Sequence, residues 1–327
     1  LRHSQKNWTS EARVATGRSA VKLLISLTTP KAVLLPVYCP EGIIVPFQRY
    51  NVPIKFYKLR EDLRPDLDHL QKVMAKDALV VVIHFFGFLT ETGALKEIIS
   101  NAGGLLFEDC AHALFAKAPD ADVALWSLNK FLPVVDGAII RSRRREIDVS
   151  KAICQALPPR VSNPYHQHLD LNARIVRTTD PKQAEDLLNE SQLAYEDYYS
   201  QIQDLILYSQ SSETNTIVAD TDFDAMKSSR SHNAASYYKT IPECFVFRPK
   251  VPVAPFAYPI VVRPPLNCER VYDALLGVGV LPSRLIDKWD HIPKGDDRFG
   301  IEHTFMDQHL LLPVGEEVTP DDIRRLG

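Results

Sequence analysis

The sequence predicts an α/β fold: a large domain on a mostly parallel central sheet with helices on both faces, then a smaller C-terminal α/β domain. Two observations predict it. Helical and strand patterns alternate through the first half of the chain, and such repeats pack as parallel strands joined by crossover helices. The strand patterns are also short and apolar. Residues 79–84 read LVVVIH, dominated by β-branched side chains, which suits a strand covered on both faces.

The elements follow in order. Residues 19–27 have helical spacing, 32–35 form a short apolar strand ending at Pro36, and 40–50 are the next helix. Strand 54–57, helix 66–74, strand 79–84 and helix 91–101 continue the alternation, and 105–108, 123–127 and 138–141 read as three more strands. The basic run RSRRR, residues 141–145, reads as a solvated turn. Beyond it, 182–206 is a long amphipathic helix, 230–241 another helix, 256–262 a strand and 268–276 a helix. Gly279-Val280 leads into a further edge, and 319–326 opens with Thr-Pro-Asp-Asp, a helix-start signal. Residues 1–150 are read as the large domain, and 151–327 as linking helices with the small domain.

Composition narrows the function. The 327 residues are 45% hydrophobic and 24% charged, with a formal net charge of −3. That is ordinary for a globular protein and gives no reason to expect nucleic acid or an anionic membrane as partner. The longest apolar run, 78–89, is too short to span a bilayer. Residues 1–10 are polar and lack an apolar signal core. The five cysteines (Cys39, Cys110, Cys154, Cys244 and Cys268) are scattered and without metal-ligand spacing. They read as reduced thiols of a cytoplasmic protein with no metal.

Four features carry chemistry. Gly17-Arg18-Ser19-Ala20 stands at the start of a helical pattern, where backbone N–H groups and the helix dipole favour a phosphate. The same residues also make an ordinary turn and cap. Glu108-Asp109-Cys110-Ala111-His112 ends a core strand, where a buried carboxylate needs a partner. A pyridinium N–H is one such partner, and capping of a following helix is the alternative. Ser127-Leu128-Asn129-Lys130 follows an apolar strand. Desolvation there favours the neutral amine that Schiff-base formation requires, whereas most lysines are simply solvated. His84 ends the most apolar strand and is either near a cofactor or a satisfied core histidine. No Gly-x-Gly-x-x-Gly follows a strand, so a nicotinamide dehydrogenase fits poorly.

Taken together, GRSA, VLLPVYCPEGIIVPF, LRPDL, VVVIHFFG, FEDCAHAL, ALWSLNKFLPVVDGAII and HLLLPV resemble the DegT/DnrJ-type sugar aminotransferases. The likeness covers nearly the whole chain and is densest over 13–141. It implies fold type I and pyridoxal 5′-phosphate as cofactor. Lys130 matches the Schiff-base lysine and Asp109 the partner of the pyridine nitrogen. His112 matches a position at the ring edge, and Arg18, Ser19 and Ser127 match phosphate-binding positions; Gly17 and His84 are candidate cofactor contacts from the residues themselves. The resemblance further implies a homodimer that moves an amino group, usually from glutamate, to a nucleotide-linked keto sugar, as in surface polysaccharide biosynthesis. The chain departs from the pattern at three places. Tyr38-Cys39-Pro40 stands where many members stack an aromatic on the cofactor, which makes Tyr38 the candidate. Arg18 replaces a frequent Thr, and residues 142–189 match poorly. Arg230, Arg284 and Lys288, with Trp289 beside the last, are candidate substrate contacts. Another cofactor-dependent reaction, dehydration or decarboxylation, and a non-catalytic binding protein on the same fold are the alternatives.

Overall fold

The computed structural model describes residues 8–327 except 119, 176, 179, 203, 205, 242–253, 279, 281, 284–296, 325 and 327. Nine strands make the main sheet: β1 (Ser10–Val14), β2 (Val33–Pro36), β3 (Ile54–Tyr57), β4 (Leu79–Ile83), β5 (Leu105–Asp109), β6 (Val123–Ser127), β7 (Ala138–Ser142), β8 (Gln155–Ala156) and β9 (Tyr208–Ser209). Their order is β3-β2-β4-β5-β6-β7-β1-β9-β8. β3, β2, β4, β5 and β6 are parallel, and β7 and β1 turn antiparallel. Strands β2, β4 and β6 are buried at every residue, because helices cover both faces and no position needs to be polar.

Strand β1 escapes the sequence patterns, since Ser10, Glu11 and Arg13 look like loop. Pairing explains them. Glu11 sits opposite Arg141 in the β1–β7 ladder, and Arg141 Nε donates to Glu11 Oε2 at 2.7 Å. The basic run expected to be a solvated turn is thus partly strand. Arg143 also turns inward, donating to the carbonyls of Ala121 and Ala118, each at 2.9 Å, and lying 4.0 Å over the Trp8 ring. Arg144 and Arg145 alone in that run are exposed.

Helices α1 (Gly17–Thr28), α2 (Glu41–Arg49), α3 (Leu67–Val73) and α4 (Gly93–Asn101) join the parallel strands. Thr16 caps α1, its Oγ1 accepting from Ser19 N–H at 3.1 Å. Next come the hairpin of α5 (Pro159–Ile175) and α6 (Pro181–Gln201), then α7 (Ser212–Asp220) and α8 (Phe223–Thr240). α6 stops short of the expected residue 206. There the buried Lys22 of α1 donates to Ile202 O at 3.0 Å and Ile206 O at 3.4 Å, drawing the chain out of the helix. β8 and β9 extend the sheet from beyond residue 150.

The C-terminal part builds an antiparallel pair, β10 (Tyr258–Val261) with β11 (His309–Leu312). Around it lie α9 (Cys268–Gly277), α10 (Gly300–Gln308) and α11 (Pro320–Arg324). Tyr258, Ile260, Leu310 and Leu312 centre its own core, with Tyr237 of α8 stacked 5.1 Å from Tyr258. Phe305, Met306 and Leu311 instead join the core of the main sheet, so the two parts share one apolar interior.

Candidate active site

Register decides what each strand end presents. Ile83, Asp109 and Leu125 are mutually aligned across β4, β5 and β6, and so are Val82, Glu108 and Ala124. Side chains alternate between faces along a strand. Asp109 therefore shares a face with Leu125 and, two residues on, Ser127. α1 begins on that face, where Gly17 lies against Leu125. Glu108 points the other way, together with Cys110 and His84.

Asp109 is buried at the carboxyl end of β5, where sites in parallel sheets gather. Its Oδ1 accepts from Ala111 N–H at 2.8 Å. Burial raises its carboxyl to about 6, opposed by that hydrogen bond and by nearby positive charge that includes Lys130. Its charge thus lacks a strong partner, the condition for recruiting a cationic N–H.

Lys130 is half-buried in the turn after β6 and lies within electrostatic reach of Asp109, His112 and Tyr199. The turn is held from both sides. Ser127 Oγ donates to Asn129 Oδ1 at 2.8 Å, and Asn129 Nδ2 donates to the Tyr165 hydroxyl at 3.4 Å. The buried Asp136 accepts from Ser211 N–H at 2.9 Å and from Ser211 Oγ at 3.1 Å, pinning the start of α7 beneath the loop.

His112 stacks on Phe256 with centroids 4.4 Å apart and planes 14° from parallel. Phe86 lies on it at 6.0 Å and 23°. Burial first, then the Lys130 charge, lowers the imidazole to about 3, so the ring is neutral at neutral pH. Gly87 makes the assembly possible. At φ +97°, it leaves no room for a Cβ, which would stand 2.6 Å from His112 O and 2.7 Å from Pro255 Cα.

Arg18, second in α1, lies 4.3 Å over the Tyr199 ring. Its Nε is buried with no acceptor among the described residues. Ser19 N–H is already taken by Thr16, which leaves the amides of Gly17 and Arg18 to receive an anion at the helix start.

Two expected cofactor contacts are corrected. His84 belongs to the opposite face. Its Nδ1 accepts from Thr90 N–H at 3.1 Å and its Nε2 pairs with Glu108 Oε2 at 3.0 Å. Tyr38 is fully buried, stacked on Phe85 at 5.5 Å and edge-on to Phe305 at 5.4 Å, so its ring belongs to the core. Among the substrate candidates, Arg230 packs against Phe131, the residue after Lys130. Its Nη1 donates to Pro255 O at 3.2 Å and Phe256 O at 3.1 Å, and its guanidinium lies 4.8 Å from the Phe131 centroid. Arg284, Lys288 and Trp289 lie outside the described residues.

Tyr199 and Phe256 are site residues that the patterns passed over. Burial works against ionisation of the Tyr199 hydroxyl. The charges of Lys130 and Arg18 and hydrogen bonds from Tyr195 and Asn129 more than offset it, leaving the group more acidic than usual. The only sequence signal was the run of tyrosines at 195, 198 and 199, which reads equally well as the apolar face of α6.

No protein-family profile and no curated protein matches the chain. Solved structures do. The sugar aminotransferase CalS13 from Micromonospora echinospora is 17% identical, with a TM-score of 0.64 over 97% of this chain and 85% of its own. Spr1654 from Streptococcus pneumoniae, in its PMP form, is 11% identical, with a TM-score of 0.68 over 97% and 84%. A DegT/DnrJ/EryC1/StrS aminotransferase from Brucella abortus is 12% identical, with a TM-score of 0.65 over 98% and 84%. The chain has the fold of these aminotransferases.

Proposed function

We propose that this chain is a pyridoxal-phosphate-dependent aminotransferase that passes an amino group from an amino acid such as glutamate to a nucleotide-linked keto sugar. One observation carries the reading: Asp109, Ser127, Lys130 and the start of α1 are gathered on one sheet face, with Asp109 buried and short of a counter-charge. The residues fit the cofactor. The orphaned Arg18 Nε and the free amides of α1 suit its phosphate, and Asp109 suits its ring N–H. When bound, the cofactor supplies an electron-withdrawing ring that takes up the electron pair released at the substrate carbon.

The chain's own groups do the rest. Asp109 keeps the ring nitrogen protonated and so maintains its electron demand. Lys130 would hold the cofactor through its amine, and the same amine would take and return the proton at the reacting carbon. Neutral His112, stacked with Phe86 and Phe256, would pack at the ring edge without competing for the proton. Arg230 offers a cation to a substrate carboxylate.

Glutamate should convert the bound cofactor to its amine form, seen as loss of the visible band, and a nucleotide-linked keto sugar should restore it. If glutamate leaves the band unchanged while another substrate is dehydrated or decarboxylated, the aminotransferase reading fails and the cofactor reading survives. We further propose a homodimer, the commonest soluble assembly, which light scattering would refute by giving a monomer mass under active conditions. A cytoplasmic location accords with the unpaired Cys39, Cys110 and Cys154.

A further inference from the structure

On the sheet face opposite Asp109, a cavity of about 590 Å³ opens beneath the start of α4. Its floor is the His84–Glu108 pair. Arg60 and Arg64 stand on its wall, and Thr92 and Asp120 lie near its rim, the Thr92 hydroxyl donating to Asp120 at 2.8 Å. Apolar wall is supplied by Leu67, Leu89 and Leu95. The first two are among the exposed large hydrophobic residues of the chain, at 36% and 46%. That size and mixture suit a small polar molecule.

Glu108 is the anomaly. It is 0% exposed, and one carboxylate oxygen, Oε2, accepts from His84. The other, Oε1, has no donor among the described residues. Such an oxygen costs free energy unless a donor reaches it. Arg143 compensates some of the charge through space, but its Nη1 and Nη2 donate to the Ala121 and Ala118 carbonyls.

A metal is the obvious guest, because ligand atoms of His84, Glu108 and Cys110 lie within 4.8 Å of one another. The histidine tautomer speaks against it. Thr90 N–H donates to Nδ1, so the ring hydrogen is on Nε2, which is the nitrogen facing Glu108. A ligating imidazole shows the reverse arrangement, a bare nitrogen towards the metal and an N–H donated outward. The vacant acceptor therefore calls for an N–H donor.

We propose that this cavity is a second, non-catalytic site for a small zwitterion, with an ammonium on Glu108 Oε1 and a carboxylate or phosphate on Arg60 and Arg64. Both arginines now pair with Asp62, at 3.7 and 3.5 Å, in contacts exposed enough to be exchanged at little cost. Glu108 adjoins Asp109 in β5, and His84 N–H donates to Asp109 O at 3.0 Å. Occupancy of this site is thereby set against the backbone that carries Asp109.

The test is calorimetric titration of the purified full chain with O-phosphoethanolamine, with β-alanine, and with ethanolamine or inorganic phosphate alone. One of the two zwitterions should bind once per chain and more tightly than either fragment. The better of the two identifies the anion as phosphate or carboxylate. Arg60→Gln with Arg64→Gln, both on partly exposed residues, should weaken binding roughly tenfold or more, as loss of a charge-assisted contact implies. Glu108→Gln should abolish the preference for the ammonium-bearing probes. Three results would each overturn the proposal: no saturable binding at millimolar probe, affinity unchanged in both variants, or binding that proceeds only with a change in the cofactor's absorbance. The last would place the probe at Lys130 instead. A chain that bound no cofactor would defeat the functional reading above and leave this test intact.

Discussion

His112 lies flat on Phe256, 4.4 Å between centroids. This contact joins the loop after β5 to the segment that enters the small sheet. The two parts are joined at the same place through backbone, since Phe256 N–H donates to Phe86 O at 2.7 Å. Gly87, at φ +97°, lies beneath both contacts. Gly87→Ala forces a Cβ into three backbone atoms and into a backbone conformation that alanine resists. The expected outcome is a loss of about 2–4 kcal/mol in urea denaturation, with weakened cofactor retention on gel filtration. A variant as stable as the parent would show that the Phe86–Gly87 turn is adaptable and the clamp incidental.

Burial of the Asp109 carboxyl works against stability. Its carboxyl is raised to about 6 when folded, against an unfolded value near ~3.9. The folded chain therefore holds the extra proton, and stability falls as pH rises from about 4 through about 6, then levels. Asp109→Asn removes that fall. The cofactor-free variant should be more stable than the parent at pH 8 by roughly 1–3 kcal/mol, at ~1.4 kcal/mol per pKa unit, and no more stable at pH 4. His112 contributes in the opposite sense, losing stability as pH drops below its unfolded value, but it is common to both proteins and cancels in the difference. Urea midpoints of both proteins at the two pH values test this. The variant should also turn over far more slowly than the parent while still binding cofactor. Near-normal turnover would remove Asp109 from its proposed role.

Lys130 should be the residue that holds the cofactor. Reduction of the loaded protein with borohydride, followed by peptide mapping, should place the label on Lys130. Lys130→Ala should retain the fold, because the turn is fastened by Ser127, Asn129 and Asp136 rather than by the lysine. A label on another lysine sinks the assignment.

Much of this was legible because strands and helices of the large domain declare themselves locally. β4 is apolar at every position, and the carboxylate at Asp109 stands out at the end of such a run. Facing was not legible. Glu108 and Asp109 are neighbours in sequence, and only the register with β4 and β6 shows which one shares a face with Ser127 and which meets His84. Tyr38 failed for a related reason. An aromatic after a core strand can stack on a ligand or fill the core, and here Phe305 of α10, far along the chain, claims it. Tyr199 and β1 became visible only through pairings more than a hundred residues apart. Arg18 with Tyr199 and Glu11 with Arg141 are two of them.

Arg230 gives the sharpest test of substrate handling. The guanidinium is largely buried, with one nitrogen spent on the carbonyls of Pro255 and Phe256 and its face against Phe131, next to Lys130. Its Nε has no acceptor among the described residues. Burial makes its cationic form costly, and Glu317 and Glu316 relieve that only through space. A carboxylate arriving beside Lys130 would meet this need with a charge-assisted bond, worth about 1.5–3 kcal/mol. Arg230→Gln should accordingly raise the KM for glutamate by roughly 10–100-fold, with a smaller change in kcat and none in the KM of the keto sugar. Arg230→Lys should rescue little, because a lysine can neither lie flat on Phe131 nor hold both carbonyls while presenting a further N–H. A rise confined to the keto sugar would move Arg230 to the acceptor. Unchanged constants for both substrates would leave it as a tie between α8 and the Pro255–Phe256 segment.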